Sequence, residues 1–119
     1  MQALRILYVE DHSDTRMVLA RLLVRYGYDV FTAGNVHDAL DLLDGLAFDV
    51  LLSDIGLPDG DGFELVMEAR QRQPLRCAVA LTAYASDEDR EQGVRAGFDR
   101  YLTKPLDVAV LQHVLSQLY

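Results

Sequence analysis

Apolar and polar positions along the chain alternate between two rhythms. Leu4 to Val9 is a short apolar run interrupted only by Arg5, the pattern of a buried strand. From Asp14 to Tyr26 the apolar residues Val18, Leu19, Leu22, Leu23 and Tyr26 recur at helical spacing, and Gly27 follows as a stop. Tyr28 to Thr32 predicts a second strand. Asn35 is placed to cap a second helix, with Val36, Ala39, Leu40 and Leu43 as its apolar face and Gly45 at its end. Phe48 to Ser53 predicts a third strand, followed by a loop dense in turn residues from Gly56 to Gly62. Phe63, Leu65, Val66 and Ala69 open a third helix that ends before Pro74. Cys77 to Leu81 predicts a fourth strand, Ser86 to Ala96 a markedly polar helix stopped by Gly97, Tyr101 and Leu102 a short fifth strand, and Val108 to Leu118 a last helix.

Strand followed by helix, five times over, predicts an α/β fold with a parallel sheet and helices on both faces. The middle strands read as unbroken apolar runs, as strands covered on both faces should. In open sheets of this kind, function gathers at the carboxyl ends of the strands. Those ends carry Glu10-Asp11, Asp54, Thr82-Ala83 and Lys104-Pro105. Taken singly, each has an ordinary reading: Asp11 as a helix cap, Thr82 as a structural hydroxyl, Lys-Pro as a loop pair. Taken together they form a set that one chemistry requires. Crowded carboxylates need a cation or protons to coexist. Oxygen-only ligands with room for water suit Mg²⁺. A carboxylate is also a nucleophile toward phosphorus, and phosphoryl transfer chiefly needs positioning and neutralisation of the phosphoryl oxygens, which an ammonium and a hydroxyl can share with a metal.

Composition narrows the rest. The chain has 119 residues, a formal net charge of -8 and a sequence pI of about 4.6. That size suits one domain, 1–119, and that charge argues against direct contact with nucleic acid or an anionic membrane. The single cysteine, Cys77, excludes an internal disulfide and is read as a small core residue suited to the cytoplasm. No apolar run approaches the ~18 residues of a membrane span, and no signal-peptide pattern opens the chain.

The motifs Glu10-Asp11 after ILYV, LLSDIGLPDGDGFEL around Asp54, ALTAYA around Thr82 and GFDRYLTKPL around Lys104 resemble those of response-regulator receiver domains of bacterial two-component signalling. The likeness runs from Arg5 to Leu118. It implies a flavodoxin-like doubly wound (βα)5 sandwich with strand order 2-1-3-4-5. It further implies that Asp54 is the phosphoacceptor, that Asp11, Asp54, the carbonyl of Gly56 and, through water, Glu10 hold Mg²⁺, and that Lys104 and the amide of Ala83 contact the phosphoryl group. Thr82 and Tyr101 match a switch pair that remodels the surface of the fourth helix, fifth strand and fifth helix, and Pro105 matches a cis-peptide position. Gly56 provides no side chain to orient a hydrolytic water and Tyr84 overhangs its approach, which together imply a slowly decaying phosphoryl group. The implied partners are a histidine kinase or histidine phosphotransfer domain and an output domain or effector. The chain would be no enzyme beyond its own phosphorylation and dephosphorylation. DIGLPDGDGFEL and ALTAYASDEDREQG resemble receivers of hybrid histidine kinases. The tight ends suggest a free-standing receiver or a module of a longer protein.

Smaller features have local readings. His12 is a solvated flank of the first helix; Asp59 and Asp61 are turn formers and a cap for the third helix. On the first helix, Val18 and Leu22 are assigned to the core, and Met17, Ala20 and Val24 form an extra apolar stripe for docking the phosphodonor. Two other readings stay open: a phosphatase or phosphotransferase of the haloacid-dehalogenase type, disfavoured because position 56 is Gly where such enzymes have a second Asp, and a pseudo-receiver with a dead site.

Overall fold

The computed structural model describes residues 3–83 and 86–118, and Tyr84 lies outside them. Its element order is β1 (Arg5–Val9), α1 (Ser13–Arg25), β2 (Asp29–Ala33), α2 (Val36–Gly45), β3 (Val50–Asp54), β4 (Gly56–Leu57), β5 (Gly60–Asp61), α3 (Gly62–Arg72), β6 (Cys77–Thr82), α4 (Asp87–Ala96), β7 (Arg100–Thr103) and α5 (Val108–Ser116). The five longer strands form one parallel sheet in the order β2-β1-β3-β6-β7. Counting only these strands, that is the expected 2-1-3-4-5. The turn-rich loop is ordered as a small antiparallel ribbon, with Gly56 opposite Asp61 and Leu57 opposite Gly60.

Strand alternation divides the core into two layers. Leu7, Val9, Leu51, Ala78 and Ala80 point to the side covered by α2 and α3. Ile6, Tyr8, Leu52, Val79 and Leu81 point to the side covered by α1 and α5. Both sides of β1, β3 and β6 are therefore buried, which is why their sequences are apolar throughout. The polar α4 buries only Gly93.

The helix signals act where expected, with two changes. Asn35 caps α2 by accepting from Asp38 N at 2.7 Å, and Gly27 follows α1 with φ 96°. On α1 the core positions are Leu19 and Leu23, whereas Val18 is 59% exposed. Helical spacing made Val18 and Leu19 equivalent, but the way α1 lies on the sheet turns only Leu19 inward. Asp61 caps α3 through Glu64 N at 2.8 Å, but Asp59 does more than form a turn. Its carboxylate accepts from Val36 N at 2.7 Å and His37 N at 3.0 Å, tying the ribbon to the start of α2. Those two amide bonds hold its carboxyl below the usual range.

Candidate functional site

Strand register assembles the site. Val9 pairs with Ser53, so the next residues of β1 and β3, Glu10 and Asp54, leave the sheet side by side. Asp54 pairs with Leu81, and Thr82 pairs with Thr103. The chain after β7 therefore delivers Lys104 beside the same sheet edge, with Lys104 N donating to the Thr82 carbonyl at 2.7 Å. The Lys104–Pro105 peptide bond is cis.

Glu10 and Asp54 are only 1% and 4% exposed. Lys104 Nζ lies 3.0 Å from Glu10 Oε1, which accepts its hydrogen bond, and 2.8 Å from Asp54 Oδ1. The second approach is off the direction a hydrogen bond needs, so Asp54 Oδ1 is buried and charge-paired yet accepts no hydrogen bond from a described residue. Oxygens of Glu10, Asp11 and Asp54 all lie within 4.8 Å of one another, with Asp11 at the exposed rim.

The electrostatics follow from this crowding. Burial, then the adjacent Glu10 carboxylate, push Asp54 up to about 7 against the pull of Lys104. Burial also pushes Glu10 up, but its neighbours Asp54 and Lys104, the latter hydrogen-bonded to it, win and hold it below its ordinary value. For Lys104 burial is likewise outweighed, and the two carboxylates raise it. Two buried carboxylates around one ammonium thus hold a proton more readily than a free aspartate does. A divalent cation would relieve that crowding more fully, and the oxygen-only donor set with one unfilled buried acceptor fits a hard cation.

The other expected positions fall as follows. Thr82 is half-buried at the end of β6 and Ala83 is exposed just beyond it. Gly56 sits in β4 at the rim, with open space where a side chain would stand. Tyr101, on β7, lies partly buried with its ring against α4. A Cβ on Gly93 would come within 2.7 Å of that ring, and the Arg90 guanidinium stands 5.5 Å from the ring centroid. His12 is the N-cap of α1, its Nδ1 3.4 Å from Thr15 N, so Asp11 is left free of that duty.

Two grooves run along α1. One, of about 750 Å³, opens on Asp11 and Lys104 and is walled by Val18, Leu22, Leu106 and Val108. The other, of about 660 Å³, lies over β2 and holds Met17, Ala20 and Val24. The apolar stripe thus lines a different groove from the acidic pair, and it is Val18 that shares a groove with Glu10 and Asp11.

A family model for the response regulator receiver domain matches residues 6–116. The chain belongs to the response-regulator receiver family. Receivers of known structure have the same fold: a two-component response regulator from Clostridium difficile superposes with a TM-score of 0.92 at 25% identity over 97% of this chain and 94% of that one. Chemotaxis response regulator CheY4 of Vibrio cholerae gives 0.89 at 29% identity with both chains fully covered. By sequence the receiver is 42% identical over 94% of its length to an uncharacterized 14.6 kDa protein of Leptolyngbya boryana, of which it covers 87%. It is 37% identical to part of Sensor protein EvgS of Escherichia coli O157:H7 and of Response regulator protein PilR of Pseudomonas aeruginosa, matching 99% and 98% of this chain. It spans only 10% and 26% of those two proteins. Similar receivers thus occur both in sensor proteins and in response regulators. Among the described residues no helix is long and apolar enough to cross a membrane.

Three contributors to the receiver's site were not singled out in the sequence. Gly62 is needed because a Cβ there would collide with the Asp54 carbonyl. Gly93 makes room for Tyr101, and Arg16 donates to the Glu10 carbonyl at 2.7 Å. Gly93 stood in a helical window with no local turn signal to mark it, and Gly62 was one of several turn residues in its loop, with nothing to single it out.

Proposed function

We propose that this receiver is a Mg²⁺-dependent phosphoaspartate switch in which Asp54 accepts a phosphoryl group from a phosphohistidine of a kinase or phosphotransfer partner. The observation that carries this reading is the buried Asp54 carboxylate, one oxygen of which accepts no hydrogen bond from a described residue while Lys104 Nζ stands 2.8 Å away. An Asp54 oxygen attacks phosphorus, the phosphorus–nitrogen bond breaks, and the imidazole keeps the electron pair. Lys104 then pairs with a phosphoryl oxygen instead of a bare carboxylate, and Thr82 and the Ala83 amide donate to the others. Glu10, Asp11, Asp54 and the Gly56 carbonyl would hold Mg²⁺, which when bound neutralises charge on the phosphoryl oxygens. The partner approaches over α1, with Val18 in the groove that holds Glu10 and Asp11 and with Met17, Ala20 and Val24 on the adjoining flank.

Incubation with acetyl phosphate and Mg²⁺ tests the reading. One base-labile phosphoryl group per chain is expected. Repeated turnover would favour a phosphatase, and no incorporation would favour an interaction module. Millimolar Mg²⁺ alone should also raise the melting temperature, since a ligand at a hundredfold excess over its Kd stabilises by about 2.7 kcal/mol. Asp11→Ala should lose most of that shift; an unchanged wild-type melting temperature would count against the metal site.

The switch is proposed to work through Tyr101 and α4. Phosphate favours one conformation only through contacts that differ between states; Thr82 supplies that contact, and the weakly buried α4 yields to it. Gly93→Ala should push the Tyr101 ring away from α4 without phosphorylation, since the new methyl would stand 2.7 Å from Cε2. Chemical shifts in β7 and α4 should then change in the unphosphorylated variant, and phosphorylation should add less change than in wild type. Unaltered shifts at Tyr101 would refute the coupling.

A further inference from the structure

We infer that Arg16 is a positioning residue for the acidic pair, and that Gly34 is a glycine because Arg16 must pass it. This rests on the metal-site reading above. The β1 ladder runs out at the pair Val9 and Ala33, and Glu10 makes a last bond through its N–H to the Ala33 carbonyl at 3.0 Å. Its own carbonyl lies past the ladder, and no backbone N–H among the described residues donates to it. Arg16, six residues on in α1, donates from Nη1 to that oxygen at 2.7 Å.

The bond fixes more than one carbonyl. Glu10 C=O and Asp11 N–H belong to the same planar peptide. Holding that plane sets the direction in which Glu10 leaves the sheet and Asp11 begins the turn into α1. Glu10 must reach inward to Lys104, 3.0 Å away, while Asp11 stays at the rim with an oxygen within 4.8 Å of both Glu10 and Asp54. A short turn between strand and helix does not define that divergence alone; a charged donor bound to the shared peptide does.

Gly34 supplies the second observation. A Cβ at Gly34 would lie 2.9 Å from Arg16 Nη1 and 3.9 Å from the Glu10 carbonyl oxygen. Any side chain there would displace the guanidinium from its acceptor. The displaced atom is the tip of a flexible side chain, so the fold can absorb the change while the contact is lost. Arg16 and Gly34 therefore act as one device built from α1 and the end of β2.

Positioning and simple charge predict opposite results. If Arg16 acted only as a cation near three carboxylates, removing it would make the cluster more negative and tighten Mg²⁺ binding. If it orients the Glu10–Asp11 peptide, removing it weakens binding, as loss of a partner behind the metal ligands commonly does by about tenfold or more. Mg²⁺ titrations followed by calorimetry should therefore show about tenfold weaker affinity for Arg16→Ala. Gly34→Ala, which keeps the charge, should show a loss in the same direction. Arg16→Lys should recover part of the loss by restoring a donor without the planar fork. The Mg²⁺ concentration giving half-maximal labelling by acetyl phosphate should rise by matching factors. Tighter or unchanged Mg²⁺ binding in Arg16→Ala, or wild-type affinity in Gly34→Ala, overturns the positioning role while leaving the metal site standing. Absence of Mg²⁺ binding in the wild type overturns both.

Discussion

Asp54→Asn is expected to abolish base-labile phosphorylation by acetyl phosphate, and to make the metal-free protein more stable at neutral pH. The first effect follows from chemistry: an amide is no nucleophile toward phosphorus, and Glu10, its buried neighbour, is already engaged by Lys104 at 3.0 Å. The second follows from crowding. Burial and Glu10 raise Asp54 to about 7 in the folded protein from its ordinary value of 3.8. For a carboxyl raised on folding, the sign runs opposite to the usual ion-paired case. The folded state binds the proton more tightly, so the group costs nothing below pH 4. The cost grows as pH rises toward 7 and is complete above it. An isosteric amide removes that cost, although Lys104 loses one partner. The net gain is expected to be on the order of 1–2 kcal/mol at pH 8 and to vanish near pH 4. Melting curves across that range, without Mg²⁺, would check it. Saturating Mg²⁺ should reverse the order, since only the wild type keeps the full donor set. Labelling retained in the variant would remove Asp54 as the acceptor. A variant destabilised at every pH would show that the Lys104 pair outweighs the crowding.

The residues that meet at the site were legible because a parallel sheet aligns strand ends automatically. Once the periodicity fixed five strands, Glu10, Asp54 and Thr82 had to emerge on one edge, and the ladder register then carried Lys104 to them. What stayed illegible depends on contacts made across the chain. Val18 and Leu19 carry the same helical signal, and only the placement of α1 against the sheet decides that Leu19 is buried and Val18 faces a groove. Asp59 in a turn-rich segment reads as a turn former; that it holds the first amides of α2, over twenty residues earlier, depends on where the β4–β5 ribbon lies. Arg16 on an exposed helix reads as a solvated charge, and its bond to Glu10 depends on the absent side chain at Gly34. In each case the local pattern gave the element and the long-range packing gave the role.

Gly62→Ala tests the tightest backbone approach at the site and should be among the most damaging small substitutions in the protein. Gly62 opens α3, and its N–H donates to the Ile55 carbonyl at 2.7 Å. That bond draws the start of the helix onto the end of β3. An added Cβ would collide with the Asp54 carbonyl oxygen and stand 3.1 Å from Ile55 Cα. Both obstacles are backbone, so no side chain can rotate away, and either α3 or the Asp54 segment must shift. Forcing one extra methyl group into such a contact costs about 1–3 kcal/mol. For a domain of this size that corresponds to a fall of roughly 5–15 °C in melting temperature. Gly45→Ala provides the contrast. It too lies at a helix end, but a Cβ there meets nothing within 4 Å, so its melting temperature should hold or rise slightly. Because the collision falls on Asp54 itself, the damage should extend to the site: Gly62→Ala should bind Mg²⁺ more weakly and label more slowly even where it remains folded. A variant that melts like Gly45→Ala and labels like wild type would show that α3 and the carboxyl end of β3 are not locked together.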